Sequence, residues 1–199
     1  MQNQYHEDLL EAGLDEAGRG CLAGPVVAAA VILPPDYTHP VLNDSKQLTH
    51  KKRMLIREDI YDQAIAWAVG IISPERIDEV NILNASFDAM IQAVEALKIT
   101  PAYLLVDGNR FRPRHLQIPY RCEIKGDGRF RNIAAASILA KTHRDEIMES
   151  LDQDYPEYHW ASNKGYPTQQ HREAIWAHGI TEHHRKSFNA AKPLTLFDP

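Results

Sequence analysis

The chain has 199 residues, of which 44% are hydrophobic and 25% are charged, and its formal net charge is −5. These fractions exclude a disordered or collagen-like chain, and a chain of this length can bury a sizeable core without disulfides or structural metal. The longest apolar run, residues 25–33, is far shorter than the about 18 residues of a membrane span, and no signal peptide is visible. The two cysteines lack C-x-x-C spacing, which indicates reduced thiols in a cytoplasmic protein.

Strand-like and helix-like segments alternate along the chain, which favours an α/β fold. The predicted strands are residues 11–17, 25–33, 65–72, 102–106 and 118–124. The predicted helices are residues 49–64, a helix beginning at Ser73-Pro74-Glu75, and residues 82–98, 133–151 and 168–178. Thr49 is expected to cap its helix, because its hydroxyl can accept a first-turn N–H, and Gly179 is expected to end the last one. Small side chains at the start of the helix over 133–151 would let it lie close to a sheet.

Charge is distributed unevenly along the sequence. Residues 109–144 contain nine Lys/Arg and two Asp/Glu, a net of +7, and the other residues carry a net of −12. The overall charge alone argues against a nucleic-acid-binding protein. The segment predicts either one basic face on an acidic body or charges that disperse over the fold, and the sequence leaves both open.

Four acidic residues stand out by their position. Asp15 and Glu16 come at the end of the first predicted strand, Asp107 closes an apolar strand, and Asp127 lies in a Gly-Asp-Gly turn ahead of a helix. Carboxylates that converge at the edge of a sheet need cations or protons, and oxygen donors suit Mg²⁺ or Mn²⁺. Two such ions about 3.5–4 Å apart would support phosphodiester cleavage by activating water. Adjacent strand residues point to opposite faces, so Asp15 and Glu16 can share a site only where the strand twists off or bulges. For each acid taken alone, a turn or a solvated residue is the simpler interpretation.

A glycine-rich stretch follows the first pair of acids. Gly18 and Gly20 would let the backbone approach a ligand closely, and Arg19 between them can bind a phosphate through its forked guanidinium. A plain tight turn explains the three residues equally well.

Taken together, these motifs resemble ribonuclease HII, the type 2 ribonuclease H of bacteria. The matching stretches follow the family's order through residues 14–20, 23–27, 43–46, 77–83, 106–109, 125–127, 133–141, 144–145, 164–168, His171 and 184–188. The resemblance implies an RNase H-like mixed five-stranded sheet flanked by helices over about residues 1–155, a small helical C-terminal portion over about 156–190, and a tail over 191–199. All three would form one ribonuclease HII domain, and we expect a monomer.

The resemblance also implies an activity. Members of the family hydrolyse the RNA strand of RNA/DNA hybrids and cut on the 5′ side of single ribonucleotides embedded in duplex DNA, leaving 3′-hydroxyl and 5′-phosphate ends. The associated roles are ribonucleotide excision repair and removal of RNA primers. The matched metal-binding acids are Asp15, Glu16, Asp107 and Asp127, with Asp15 and Asp107 anchoring two Mn²⁺ or Mg²⁺ ions.

Substrate contacts are implied in the same way. Gly18, Arg19 and Gly20 match the loop that reads the 2′-hydroxyl at an RNA–DNA junction. Tyr166 matches the tyrosine that packs against the sugar of the following deoxynucleotide, and Lys46 matches a phosphate-contacting lysine. A partly buried core aromatic is the plainer interpretation of Tyr166.

Other charged residues carry further expectations. The basic segment offers a path for the duplex backbone through four arginines that the family motif does not specify: Arg110, Arg112, Arg129 and Arg131. Surface solvation explains each of these four equally well. A second cluster, after Gly179, is either a charge cluster at the C-terminal end of a helix or, as the resemblance implies, holds the C-terminal portion or contacts phosphate. The residues concerned are His184, Arg185 and Ser187. Asp145 is expected to pair within its helix. Cys21 stands where the family often has proline, which places a thiol near the site.

The tail carries a separate expectation. Residues 193–197 resemble the short peptides that bind bacterial sliding clamps, with Leu194, Leu196 and Phe197 as the apolar anchors. Proline replaces the usual leading glutamine, and a tail folded back on the domain is the alternative.

Three rival functions remain at this point. A junction resolvase would need no 2′-hydroxyl sensor, so the Gly-Arg-Gly loop with Tyr166 argues against it. A non-catalytic hybrid-binding protein would not need four intact acids. A nucleotide-binding enzyme would need a longer glycine loop than the one present.

Overall fold

A mixed five-stranded sheet forms the centre of the computed structural model, which describes residues 1–2, 4–6, 8–39, 42 and 48–188. The strands are β1 (Glu11–Ala17), β2 (Val26–Ile32), β3 (Ala66–Ile72), β4 (Tyr103–Asp107) and β5 (Tyr120–Glu123). Their spatial order is β3-β2-β1-β4-β5. The pairs β1–β2 and β2–β3 are antiparallel, whereas β1–β4 and β4–β5 are parallel. The predicted mixed five-stranded sheet is confirmed.

Six helices accompany the sheet in the described part of the chain. They are α1 (His50–Gln63), α2 (Pro74–Val80), α3 (Ile82–Glu95), α4 (Arg131–Asp154), α5 (Trp160–Asn163) and α6 (Gln169–His178). The hydroxyls of Thr49, Ser73 and Thr168 accept first-turn N–H groups and cap three of them. Within the described residues, none of these helices is long and apolar enough to cross a membrane.

Alternate residues of the central strands pack on the two faces of the sheet. Ala12 and Leu14 of β1 join the core beneath α3, together with Phe87 and Met90 of that helix. On the opposite face, β2 packs against the alanine-rich start of α4 and against α1. Both faces of β2 are therefore buried, which explains its continuous apolar sequence.

The start of α4 lies unusually close to β1, as its small side chains predict. A Cβ atom added to Gly13 would lie 2.2 Å from the backbone carbon of Asn132, so no other residue fits there without a shift. The side chain of Asn132 uses this proximity, because its amide donates to the carbonyl of Glu11 at 2.9 Å and accepts from the N–H of Leu33 at 3.0 Å. These contacts fix α4 against the strand that carries Asp15.

The C-terminal portion forms a third, smaller core. Tyr158 and Trp160 are buried there with Ile175 of α6 and with Met148 of α4, and Leu22 packs into the same cluster. The segment 22–24 is thereby joined to the C-terminal portion, and it follows directly on the Gly18-Arg19-Gly20 loop. The sequence did not predict α5, which holds only four residues between two left-handed positions, His159 and Lys164.

Candidate active site

Asp15 and Asp107 lie side by side at the end of the sheet. Strands β1 and β4 pair in parallel up to Leu14 and Val106, so the next residue of each strand is one of these two acids. Neighbouring strands lie about 4.8 Å apart, which brings the two carboxylates close together. Asp15 is only 7% exposed. The strand register thus creates a pair of acids that share one end of the sheet.

Glu16 lines the same cavity as Asp15, although the two residues are adjacent in a strand. The pairing of β1 with β2 runs without interruption from Gly13 to Ala17, so the strand does not bulge here. The pairing of β1 with β4 ends at Leu14, and the cavity lies at that end of the strand. The carboxylate of Glu16 accepts from the guanidinium of Arg19 at 3.1 Å.

Asp127 is brought to the site by a short 3₁₀ turn, Gly126–Gly128, immediately before α4. It is buried, at 6% exposure. The N–H of Gly126 donates to the Asp107 carboxylate at 2.7 Å, so the turn that carries Asp127 is tied to the end of β4. A Cβ atom on Gly126 would lie 2.5 Å from Cδ1 of Ile133, so a larger residue here would require that side chain to shift.

The electrostatics of the site follow from this crowding. Burial raises the pKa of Asp15 well above its usual range, and the charges of Glu16 and Asp107 raise it further. Hydrogen bonds from the Ser137 side chain and from the backbone N–H of Glu16 partly oppose that rise. Burial also raises the pKa of Glu16, and Arg19 partly offsets the effect. The site therefore holds more negative charge than its surroundings stabilise, and positive charge would relieve it.

The Gly18-Arg19-Gly20 loop forms one wall of the cavity, and its two glycines do different things. Gly18 has φ +95°, and a Cβ atom there would lie 2.0 Å from Nε of Arg144. Gly20 has no heavy atom within 4 Å of its would-be Cβ, so it faces open space. Gly18 is thus required by packing and backbone conformation, whereas Gly20 leaves room for a ligand.

Two buried arginines hold the segment that follows this loop. Arg144 donates to the carbonyls of Pro25, Ala23 and Lys164 at 2.8–3.0 Å. Arg185 donates to the carbonyls of Gly24, Pro25 and Arg19 at 2.9–3.1 Å. Each is 2% exposed. Of the roles expected for it, these contacts give Arg185 that of holding the C-terminal portion, because its guanidinium is engaged in holding backbone carbonyls together.

The other two residues of that predicted cluster, His184 and Ser187, also hold the C-terminal portion. His184 is buried against His171, and the hydroxyl of Ser187 donates to Asp78 at the far end of α2. The carboxylate of Asp78 also accepts the backbone N–H groups of Lys186 and Ser187, each at 2.9 Å. These hydrogen bonds favour the structural alternative over phosphate contact for all of them.

Tyr166 lies at the mouth of the cavity with 43% of its surface exposed. The guanidinium of Arg144 lies 6.0 Å from the centre of its ring. Burial raises the pKa of Tyr166, and the neighbouring Cys21 thiol raises it further, so the thiol expected near the site lies beside this tyrosine. Burial raises the pKa of the Cys21 thiol, which keeps it protonated and unreactive at neutral pH.

The cavity, of about 420 Å³, therefore gathers eight of the nine residues that the sequence singled out. They are Asp15, Glu16, Gly18, Arg19, Gly20, Asp107, Asp127 and Tyr166. Lys46 lies outside the described residues, as do Leu194, Leu196 and Phe197 of the tail. Five further polar lining residues were not predicted as site residues: Arg53, Ser137, Lys141, Arg144 and Asp145. The helical spacing of Ser137, Lys141 and Arg144 on α4 was a signal that could have identified them as one face.

The other charged residues have mostly structural partners. Asp145 pairs with Lys141 at 3.4 Å one turn earlier in α4, as predicted. Arg129 and Arg121 both pair with Glu123. Arg131 donates to the carbonyl of Tyr37 at 2.8 Å. Arg110 and Arg112 line a separate surface pocket beside Phe111. Of the four arginines considered for the duplex backbone, two are therefore held by protein groups.

The donor set fits a hard divalent cation. The acids that line the cavity offer only oxygen atoms, and no described lining residue is histidine or cysteine. Among the described residues, however, no three His, Cys, Asp or Glu side chains already form a metal-binding group. Hydrogen bonds hold two of the carboxylates, that of Asp107 through the N–H of Gly126 and that of Glu16 through Arg19.

The fold has close structural counterparts. The crystal structure of ribonuclease H2 from Pyrococcus horikoshii superposes with a TM-score of 0.77 at 26% identity, over 90% of this chain and 94% of that one. Ribonuclease HII from Archaeoglobus fulgidus, solved as a complex with PCNA, gives 0.75 at 27% identity, over 94% and 98% of the two chains. With its mixed sheet and flanking helices, the protein is thus of the RNase H-like class.

Sequence comparison defines the family within that class. The family model described as Ribonuclease HII matches residues 12–191. Ribonuclease HII of Parabacteroides distasonis is 63% identical over 188 residues, 94% of each chain, and that of Porphyromonas gingivalis is 56% identical over 199 residues, 98% of each. The chain belongs to the ribonuclease HII family.

Proposed function

We propose that this protein is an endoribonuclease that hydrolyses the RNA strand of RNA/DNA hybrids and cuts on the 5′ side of single ribonucleotides in duplex DNA. The observation that carries the proposal is the shared cavity, in which acidic side chains, the Gly18–Gly20 loop and Tyr166 lie together. Membership of the ribonuclease HII family supports it. Cleavage leaves 3′-hydroxyl and 5′-phosphate ends. The biological roles are ribonucleotide excision repair and removal of RNA primers. The protein acts as a monomer in the cytoplasm.

The four acids would hold the cations that the reaction needs. Asp15 and Asp107 would anchor two Mg²⁺ or Mn²⁺ ions, and Glu16 and Asp127 would complete their ligands. When bound, these ions supply activation of the attacking water and neutralisation of charge on the leaving oxygen. The protein holds the acids in place through Ser137 and the N–H of Gly126. No nucleophilic side chain is needed.

Recognition of ribose is assigned to the loop and to Tyr166. The 2′-hydroxyl is the group that distinguishes ribose from deoxyribose, and the open space at Gly20 lets backbone groups approach it. The half-exposed ring of Tyr166 offers a flat, rigid face to the sugar of the following deoxynucleotide. Lys46 contacts phosphate, and the helical C-terminal portion over residues 156–190 covers the groove.

Cleavage of three matched duplexes tests the proposal: all DNA, DNA with one embedded ribonucleotide, and a full RNA/DNA hybrid, each with Mg²⁺ or Mn²⁺. We expect the hybrid to be cut at many positions, the second duplex to be cut once on the 5′ side of the ribonucleotide, and the all-DNA duplex to stay intact. Comparable cutting of all three would instead support a nuclease without ribose recognition, such as a junction resolvase. Binding of the hybrid without any cleavage would support a non-catalytic binding protein.

A second proposal concerns the C-terminal tail, where Leu194, Leu196 and Phe197 would bind the sliding clamp. The complex of the archaeal relative with PCNA supports an interaction of this kind. A labelled peptide of residues 190–199 titrated with the clamp of the same organism should bind saturably, and a peptide with alanine at these three positions should not. Absence of saturable binding at high micromolar clamp would contradict the proposal.

A further inference from the structure

Two histidines of the C-terminal portion form a buried pair whose protonation is determined by their neighbours. His171 on α6 is 0% exposed and His184 is 2% exposed. Burial lowers the pKa of both imidazoles, that of His184 to about 4, so both are neutral at neutral pH. A neutral imidazole carries one donor nitrogen and one acceptor nitrogen, and its hydrogen-bond partners decide which is which.

The partners leave one arrangement. The backbone N–H of Thr181 donates to Nδ1 of His184 at 2.9 Å, so the proton of His184 is on Nε2. That nitrogen lies 3.3 Å from Nε2 of His171, which also accepts from the indole N–H of Trp160 at 3.0 Å. Since Nε2 of His171 accepts, its proton is on Nδ1. This last group lies 2.9 Å from the backbone carbonyl of Tyr166 and donates to it.

The pair lies between the two parts of the proposed ribose-recognition site. On one side, His184 forms an antiparallel β-bridge with Ala23. Two backbone hydrogen bonds of 2.8 Å flank the bridge: the N–H of Arg185 donates to the Leu22 carbonyl, and the N–H of Gly24 donates to the His183 carbonyl. On the other side, His171 is bonded to the turn that presents Tyr166. Segment 22–24 leads out of the Gly18–Gly20 loop and also contacts the turn directly, since the N–H of Leu22 donates to the Gly165 carbonyl at 2.8 Å. The imidazole pair is therefore a second connection between that loop and the turn, and it ends on Tyr166 itself.

The side chain of His171 contacts the backbone of Tyr166 directly. Its ring is 43% exposed, and its backbone is anchored by three hydrogen bonds: N–H to the Asn163 carbonyl at 2.9 Å, and its carbonyl to Thr168 N–H at 2.8 Å and to His171. Of these three hydrogen bonds, the one with His171 comes from a side chain, and the other two are backbone bonds within the turn. Small displacements of a group that orients substrate are expensive, since about 1 Å can cost about a hundredfold in rate.

We propose that His171, backed by His184, is a positioning residue that sets Tyr166 against the Gly18–Gly20 loop and thereby determines selectivity for RNA–DNA junctions. The inference rests on the proposed function, in which Tyr166 packs on the deoxynucleotide after the ribose. A junction substrate uses that contact and the interior of a full hybrid does not. The measurable quantity is therefore the ratio of kcat/KM for the single-ribonucleotide duplex to kcat/KM for the hybrid.

Two substitutions separate the two nitrogens of His171. In His171→Asn the amide nitrogen can take the place of Nδ1 and donate to Tyr166, whereas in His171→Gln the amide oxygen can take the place of Nε2 and accept from Trp160. We expect His171→Gln to lower the ratio by about tenfold, through kcat more than KM, and His171→Asn to keep it within about twofold. A purely structural role would lower both activities together and leave the ratio unchanged in both variants, which would overturn the inference.

Tyr166→Ala distinguishes failure of the inference from failure of the proposed function. If Tyr166→Ala lowers the ratio while a folded His171→Gln does not, the positioning role is wrong and the role of Tyr166 stands. If Tyr166→Ala leaves the ratio unchanged, the role of Tyr166 in ribose recognition is wrong and the positioning role goes with it.

A measurement on the unmodified protein covers the case in which a variant does not fold. Long-range ¹H–¹⁵N spectra of the full chain labelled in histidine report which ring nitrogen carries the proton. We expect the Nδ1–H form for His171 and the Nε2–H form for His184. The Nε2–H form for His171 would remove its donor to Tyr166 and overturn the proposal.

Discussion

The carboxylate of Asp107 is held by the backbone N–H of Gly126 and lies beside Asp15 at the end of the sheet. Asp107→Asn keeps an oxygen that can accept from Gly126 but removes the negative charge. We expect the variant to bind an RNA/DNA hybrid nearly as well as the wild type. We expect its cleavage rate to fall by at least about a hundredfold, because several kcal/mol of charge stabilisation are lost.

Asp62→Asn is the matched control, since Asp62 is an exposed residue of α1 that does not line the cavity. Single-turnover cleavage and anisotropy with a labelled hybrid measure the two quantities. Near-normal turnover by Asp107→Asn would show that the acid is not part of the reaction.

The two glycines of the loop offer a second test at the same scale. Gly18→Ala would force a Cβ to within 2.0 Å of Arg144 at φ +95°, whereas Gly20→Ala meets nothing within 4 Å. We expect Gly18→Ala to lower the free energy of unfolding by about 1–3 kcal/mol. We expect Gly20→Ala to unfold within about 0.5 kcal/mol of the wild type, yet to cleave the single-ribonucleotide duplex more slowly.

Urea denaturation and cleavage kinetics on the same preparations give both quantities. Equal losses of stability in the two variants would contradict the different roles assigned to the two positions. Full activity of Gly20→Ala would contradict close approach of substrate to the loop.

At the scale of elements, the docking of the C-terminal portion on segment 22–24 depends on neutral histidines. Burial lowers the pKa of His184 to about 4, and nearby His171 and His183 contribute to the lowering. An unfolded histidine has a pKa of about 6.5. Between these two values the unfolded chain binds a proton that the folded chain does not, so the free energy of unfolding falls as the pH falls through this range. Above pH 6.5 this histidine gives no pH dependence.

Thermal unfolding at a series of pH values tests this contribution. His184→Asn should show a weaker fall of Tm between pH 6.5 and 4 than the wild type, because the titrating group is gone. His50→Gln, which removes an exposed histidine of α1, should keep the wild-type dependence. Parallel curves for the wild type and His184→Asn would contradict the shift.

The elements themselves were largely predictable. All five strands, and the five helices with a clear apolar period or a capping residue, lie where the sequence predicts them, within a few residues at their ends. The exception is α5, which has four residues and begins after His159 at φ +56°. It is too short to show a helical period in the sequence. Its position depends on tertiary contacts, such as the hydrogen bond of Trp160 with His171, and not on the helix propensity of its own residues.

The acids of the site were predictable because they follow the ends of apolar strands or lie between glycines in a turn. The buried arginines beside the site were not predictable. Arg144 bonds carbonyls 119 and 121 positions away along the chain, and Arg185 bonds carbonyls 160 or more positions away. The sequence shows that these residues are charged, but it does not show that they are buried. The basic segment therefore suggested a surface for phosphate, whereas Arg144 at its end is an internal clamp.

Across the whole molecule, the net charge of −5 restricts how the protein can bind a duplex. Of the four described cations that line the cavity, Arg19 pairs with Glu16 and Lys141 pairs with Asp145. The other two, Arg53 and Arg144, donate to backbone carbonyls. Farther out, Arg129 and Arg121 pair with Glu123. Affinity should therefore come from metal ions and the shape of the groove more than from a general basic field.

The salt dependence of hybrid binding measures this balance directly. Each phosphate contact contributes about −0.9 to the slope of log K against log salt concentration for B-DNA, and we expect a slope no steeper than about −3 for this protein. Anisotropy titrations with the Asp107→Asn variant at constant Mg²⁺ avoid cleavage while KCl is varied. A slope of about −6 or steeper would mean that uncompensated basic residues dominate binding after all. Repeating the titration without divalent ions should weaken binding at every salt concentration, because the remaining carboxylates then repel the phosphates.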